Sequence, residues 1–225
     1  MSTYRERPAA GLDCVWERTS DHPSSGRVVP DGRTDIIRYP DGGLFVAGPD
    51  TVGHVTELGP GRVVGVRFGP GVGPAALGVP AHVLRDQRVP LAELWDDLAA
   101  LEDALAGADD PGAVLADAAR HRLRAAPPDP LAGAIAASVT AAPVAGLADD
   151  LGLSTRQLHR RSLHAFGYGP KTLHRVLRFD RAVKLAWTGV PFAEIAHRTG
   201  YADQAHLSRE VKDLAGVPLG QLIRP

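Results

Sequence analysis

Cysteine is almost absent from these 225 residues: Cys14 stands alone. One thiol can form no intramolecular disulfide and no thiolate metal cluster. Aromatic residues make up only 5% of the chain. Lysine occurs only at positions 171, 184 and 212, so arginine carries nearly all the positive charge. No apolar run approaches the ~20 residues of a membrane-spanning helix. The N-terminus lacks the basic-then-apolar pattern of an export signal, so a cytoplasmic location is expected. Net charge is scarce as well, −1 at pH 7, which as a single figure argues against a polyanionic partner.

The average conceals a division. Residues 1–130 hold 13 Lys/Arg against 19 Asp/Glu, whereas residues 131–225 hold 12 against 7. Between Arg156 and Lys184 there are eight basic residues and one acid, Asp180. Basic residues concentrated on a helical module are an electrostatic footprint for phosphate.

The first 90 residues read as strand and turn. Pro30-Asp31-Gly32, Pro40-Asp41-Gly42-Gly43, Gly48-Pro49-Asp50, Gly59-Pro60-Gly61 and Gly69-Pro70-Gly71 are turn signals. Between them, Thr34–Tyr39, Gly43–Ala47, His54–Leu58 and Arg62–Phe68 suit strands. The last alternates, which puts Val64, Val66 and Phe68 on one face. Short, evenly spaced strands predict a small antiparallel β-barrel or half-barrel. From Pro90 the period lengthens: Leu91, Leu94, Leu98, Leu101 and Leu105 follow helical spacing, and Leu91–Leu105 is the expected surface for a homodimer. A further helix covers Val114–Leu123. The stiff segment Ala125–Pro130 (AAPPDP) divides the chain into residues 1–128 and 129–225.

The second part contains one pattern twice: VAGLADDLGLSTRQLHRRSL from Val144 to Leu163, and FAEIAHRTGYADQAHLSREV from Phe192 to Val211. In each, a short helix with an alanine (Ala148, Ala196) meets a glycine (Gly152, Gly200). A cap-type residue, Ser154 or Asp203, then opens a second helix. That is the order of a helix-turn-helix, whose second helix enters a major groove. Leu147, Leu151, Leu153, Leu158 and Leu163 are core candidates in the first unit; Ile195, Ala196, Leu207 and Val211 in the second. The candidate DNA-binding face of the first is Ser154, Thr155, Arg156, Gln157, His159, Arg160 and Arg161. Arg156 and Gln157 suit base edges, because Arg reads guanine and Gln reads adenine bidentately. Arg160 and Arg161 are open between phosphate contact and an inward structural bridge. In the second unit the face is Gln204, His206, Ser208, Arg209 and Lys212, with Asp203 and Glu210 expected to repel phosphate. A helix from Lys171 to Trp187 joins the units. Its stripe Arg175, Arg178, Arg181 and Lys184 either contacts phosphate or pairs with acids such as Asp180 and Glu194.

These residues carry a resemblance. Asp129–Arg224 resembles the two-motif DNA-binding domain of the AraC/XylS family of transcription regulators. LADDLGLSTRQLHRRSL corresponds to the first motif, LRFDRAVKLA to the linker helix and IAHRTGYADQAHLSREVKDLAGVPLGQL to the second. The N-terminal stretches RVVPDGRTDII, LFVAGPDT and VVGVRFGPG are similar to sensor domains of short AraC-like regulators, with a reduced cupin-like barrel. The resemblance implies an α+β chain: a cupin-like β-barrel with helices, then an all-α domain with two helix-turn-helix motifs. It also implies a sequence-specific transcription regulator controlled by a small effector in the N-terminal domain.

Trp16, Ile37, Phe45, Val66 and Phe68 are the candidate effector-binding residues, and they suit a small apolar or aromatic compound. The alternatives are an enzyme, or a purely structural N-terminal domain, tethered to a DNA-binding module. Metal chemistry would need clustered ligands, and His54 with Glu57 is the one local pair in the N-terminal part. No metal, other cofactor or catalytic residue is therefore expected.

Overall fold

A computed structural model describes residues 2–141 and 144–224. Its N-terminal half is built on antiparallel strands: β1 (Ser2–Pro8), β2 (Cys14–Ser20), β3 (Ser24–Val28), β4 (Thr34–Arg38), β5 (Leu44–Ala47), β6 (His54–Leu58), β7 (Gly61–Phe68) and β8 (Arg88–Pro90). Six of them form one sheet in the order β1-β2-β7-β4-β5-β8, and β3 pairs only with β6 in a separate ribbon. The six-stranded ladder ends at β1 and β8 without a pairing that joins them. Among the described residues the antiparallel strands expected of a barrel or half-barrel are present, as an open six-stranded sheet with a two-stranded ribbon.

Alternation along the strands sorts two apolar layers. Val15, Ile36, Val46, Val64, Val66 and Phe68 pack on one face beneath α1 (Gly73–Leu77), α2 (Ala99–Ala106) and α3 (Pro111–Ala125). Cys14, Trp16, Ile37, Ala47 and Val63 form the other face. Gly65 belongs to this second face because the indole of Trp16 lies over it: an added Cβ would come 2.5 Å from the ring nitrogen.

The leucines from Leu91 to Leu105 do not form the expected external stripe. Pro90 leads into a short turn of 3₁₀ helix, Leu91–Glu93, and only Ala99–Ala106 is α-helical. Leu91, Leu98 and Leu105 are buried, and Leu94 and Leu101 pack against the same core. Their apolar spacing is taken up within this core, by the sheet and by α3, so the leucines are not the exposed stripe expected of a homodimer surface.

Asp129 in the Pro-rich segment is structurally engaged. Its carboxylate accepts the Leu131 N–H (3.0 Å) at the start of α4 (Pro130–Ala141) and pairs with Arg161 (2.5 Å). The remaining helices are α5 (Leu147–Asp150), α6 (Thr155–Phe166), α7 (Pro170–Trp187), α8 (Phe192–Arg198), α9 (Gln204–Ala215) and α10 (Leu219–Leu222). Two cores share α7. Its first half, Leu173, Val176 and Leu177, packs with Leu147, Leu158 and Phe166. Its second half, Phe179, Ala182 and Ala186, packs with Ile195, Leu207 and Val211.

Candidate functional site

Each repeated motif folds as a short helix, a turn and a longer helix. At the start of α6, Ser154 is in extended conformation, and its Oγ accepts the Gln157 N–H (3.2 Å). The Gln157 side-chain oxygen in turn accepts the Ser154 N–H (2.8 Å). This reciprocal pair is a capping box, which satisfies two donors that a helix start otherwise leaves open. For Gln157, expected at a base edge, the carboxamide oxygen is turned back onto the cap and is not presented for a bidentate contact to adenine in this geometry. The signal, Ser followed three residues later by Gln, was present in the sequence. Replacing Ser154 with Ala is expected to cost about 1 kcal/mol. The double variant with Gln157→Ala should cost less than the sum, measured by urea unfolding, because both residues serve one cap.

Thr155, Arg156, His159 and Arg160 are exposed on α6. No hydrogen bond or ion pair involves the side chain of Arg156 or Arg160 among the described residues. Arg161 is different, being half-buried and tied to Asp129, which makes it the inward bridge.

In the second unit Asp203 caps α9 by accepting the His206 N–H (2.6 Å). The carboxylate that was expected to repel phosphate thus meets the positive end of a helix dipole. Glu210 also departs from expectation. It is buried beneath α7, 2.6 Å from Arg175 and 3.8 Å from Arg178. It therefore faces the linker helix, and the Arg175 guanidinium is held above its ordinary pKa by the hydrogen bond to Glu210. His206 packs edge-on against Tyr201 at 5.2 Å, and its Nδ1 accepts the Ala202 N–H (3.3 Å). Ser208 donates to the Gln204 carbonyl one turn back (2.9 Å). Gln204, Arg209 and Lys212 remain as exposed side chains on α9.

The basic stripe of α7 resolves mainly into pairs. Arg178 lies over the Tyr201 ring at 4.0 Å, and Lys184 pairs with Asp180 at 2.9 Å. Glu194 pairs with Arg198 rather than with the stripe. Arg181 is exposed. At 1.5 Å per residue, the 18 residues of α7 make a rod about 27 Å long that carries one unit on each half.

The second feature is a cavity of about 680 Å³ between the N-terminal sheet and α7. Trp16, Ile37 and Val63 line it from the sheet, Val28 and Thr56 from the ribbon, and Val183 and Trp187 from α7. The five candidate effector residues do not converge here. Trp16 and Ile37 border the cavity, while Phe45 packs edge-on against Tyr39 at 5.5 Å. Val66 and Phe68 lie fully buried on the opposite face under the helices. Successive residues of β7 point to opposite faces, so Val63 borders the cavity and Val64, Val66 and Phe68 do not.

Charged residues also bound the cavity, among them Asp31 and Asp50 of the turn signals. Arg33 is paired with Asp13 (2.8 Å) and with Asp180 of α7 (3.2 Å). Arg67 is paired with Asp35 (3.1 Å) and Arg88 with Asp50 (2.7 Å). His54 is half-buried beside Asp50 and the Arg88 guanidinium. Burial is the main cause that pushes Asp31 up to about 6, opposed by Arg67. Asp35 is raised for the same reason. Burial also pushes the Cys14 thiol up to about 11, which keeps it protonated and a poor nucleophile near neutral pH. Among the described residues no group of three or more His, Cys, Asp or Glu could hold a metal ion.

A family model for a helix-turn-helix domain matches residues 147–224, which cover both units and α7. That stretch is an AraC-type helix-turn-helix domain. A second family model, for a domain of unknown function called DUF6597, matches residues 9–90. No curated protein sequence matches the chain. Among solved structures, unsaturated fatty acid-bound ToxT from Vibrio cholerae strain SCE256 aligns with a TM-score of 0.52 at 13% identity, over 93% of each chain. ToxT from Vibrio cholerae O395 aligns with a TM-score of 0.48 at 12% identity, over 99% of this chain and 96% of that one. At such identity the first likeness speaks for the fold alone, a strand-rich half followed by a helical half. No helix among the described residues is long and apolar enough to cross a membrane.

Proposed function

We propose that the chain is a sequence-specific DNA-binding transcription regulator, with residues 1–128 as a sensor domain and 129–225 as the reader. One observation carries this. Two side-chain-capped helices, α6 and α9, stand on one rigid linker helix, and each exposes cations, Arg156 and Arg160 on the first and Arg209 and Lys212 on the second. The N-terminal halves of such helices approach base edges, while arginine and lysine beside them engage phosphate. Arg156 is the base reader of the first unit, with Thr155, His159 and Arg160 beside it. Gln204, with Arg209, serves the second. Ser154, Gln157 and Arg161 act by holding α6 in place, and His206 and Ser208 by shaping α9.

The cavity supports the effector part of this reading, because α7 forms one of its walls. A compound lodged there touches the helix that spaces the two readers. Trp16, Ile37, Val63 and Trp187 suit an apolar or aromatic body, and the paired charges around it set its polar contacts. ToxT crystallised with an unsaturated fatty acid, and an elongated apolar ligand of that kind is a second candidate. The reading includes no catalytic step.

Selection from random-sequence duplex DNA with the full chain tests it. A bipartite motif should emerge, with affinity falling steeply as salt rises. On the selected duplex, Arg156→Ala is expected to cost about 1–3 kcal/mol and to relax preference at one position. Failure to enrich any sequence at low salt would overturn the proposal, and an unchanged preference in the variant would remove Arg156 as a reader.

A further inference from the structure

The C-terminal ends of α6 and α9 are both held by the N-terminal half, through different parts of it. At the end of α6, the Arg85 guanidinium donates to the Gly167 carbonyl (3.1 Å), and Gly167 lies against Pro49 and the Ala81 backbone. At the end of α9, the Gly53 N–H donates to the Leu214 carbonyl (2.6 Å) and Arg27 Nη1 to the Ala215 carbonyl (3.0 Å). These carbonyls belong to a last helical turn, where no further intrahelical donor follows and a cation is favoured. Val29 adds an apolar contact to the core of the second unit.

The two attachments differ in what lies behind them. Arg85 and Ala81 are not on the cavity wall. Gly53 and Arg27, by contrast, sit at one end of the β3–β6 ribbon, where Val28 pairs with His54 and Arg27 with Val55. The ribbon makes no ladder with the six-stranded sheet. Its inward-facing positions, Gly26, Val28, Thr56 and Leu58, border the cavity. The same two strands thus form a wall of the cavity and the anchorage of α9. A free ribbon can shift as a unit more readily than a strand paired on both sides.

We infer that the β3–β6 ribbon transmits cavity occupancy to the second DNA-reading unit alone, with Arg27 as the positioning residue that fastens α9 to it. This rests on the proposed DNA-binding function and on the cavity as effector site. The first unit, fastened through Arg85, stays in register whatever fills the cavity.

The test uses the full chain and the duplex it selects. Arg156→Ala and Arg209→Ala first assign which half of the duplex each unit reads, and a control duplex has the second unit's half randomised. Arg27→Ala should bind the full duplex about tenfold more weakly, the usual scale for one charge-assisted hydrogen bond, and the control duplex as the unaltered chain does. Arg27→Lys should recover most of the loss, since it keeps a donor for the Ala215 carbonyl. Arg85→Ala should weaken both duplexes equally. Thr56→Trp, which enlarges the ribbon from the cavity side, should change affinity at least threefold for the full duplex and leave the control unchanged. Equal losses on both duplexes for Arg27→Ala or Thr56→Trp, or no change on either, overturn the inference. A chain that selects no duplex overturns the DNA-binding reading itself, which is a separate result.

Discussion

Gly48→Ala is expected to destabilise the chain by about 3 kcal/mol or more, the upper range for forcing atoms into a packed site. Gly48 follows β5, and a Cβ there would lie 2.6 Å from the Leu84 carbonyl carbon and closer still to its oxygen. The obstacle is backbone, so no rotamer change relieves it. Leu84 cannot easily withdraw either. The Gly48 N–H donates to the Gln87 carbonyl (3.1 Å), the Asp86 N–H to the Pro49 carbonyl (3.1 Å), and Thr51 is bonded to Asp86 through both its N–H and its hydroxyl. The Asp50–Arg88 pair closes the same corner. Urea unfolding of the full chain checks this, with Gly133→Ala as the comparison. Gly133 lies on an exposed face of α4 with nothing within 4 Å of an added Cβ. That substitution should stabilise by up to about 1 kcal/mol through helix propensity. A Gly48→Ala variant within 1 kcal/mol of the unaltered chain would show that the corner yields.

Gly48 also illustrates which features were legible from the sequence. Gly-Pro-Asp announces a turn, and a turn is there, but the reason for glycine is a contact with a residue 36 positions away. Local chemistry was readable in the same way at Ser154 and Asp203, since a helix cap is decided by neighbours three residues on. Gln157 was equally local, yet its side chain serves two rival roles, and only the geometry shows that the cap takes it. Glu210 could not be placed from the sequence, because its partners Arg175 and Arg178 belong to another helix. Period-two alternation correctly grouped Val64, Val66 and Phe68, but alternation does not say which face is covered by helices and which borders a cavity. The helical spacing of Leu91–Leu105 is real as an apolar pattern, and the core formed by the sheet and α3 takes it up. Strand β1 was hidden by its own composition: Ser2–Pro8 is exposed throughout and carries Arg5, Glu6 and Arg7, as befits an edge strand.

Asp31→Asn is expected to stabilise the chain at pH 7.5 by on the order of 2–3 kcal/mol, with the gain gone by pH 4. Asp31 sits where the sheet meets α7, and burial lifts its pKa to about 6, against about 3.9 in an unfolded chain. Because the folded state holds this proton more tightly, stability from this group is greatest below pH 4. It falls as pH rises to 6 and stays low above it. Asparagine keeps the shape of the neutral acid, and its oxygen can still accept the Arg33 N–H that Asp31 Oδ1 accepts at 2.9 Å. The nearby guanidiniums do not depend on Asp31: Arg67 is 3.8 Å from it but 3.1 Å from Asp35, and Arg33 is 3.9 Å from it but 3.2 Å from Asp180. Urea unfolding of both chains between pH 4 and 8 gives the comparison. The two curves should converge at the acid end and separate through pH 5–6. A variant less stable than the unaltered chain at pH 7.5 would mean that Arg33 and Arg67 need the third carboxylate. A stabilised variant would locate strain at the junction of the N-terminal sheet and α7, where Asp31 and Asp180 both line the cavity.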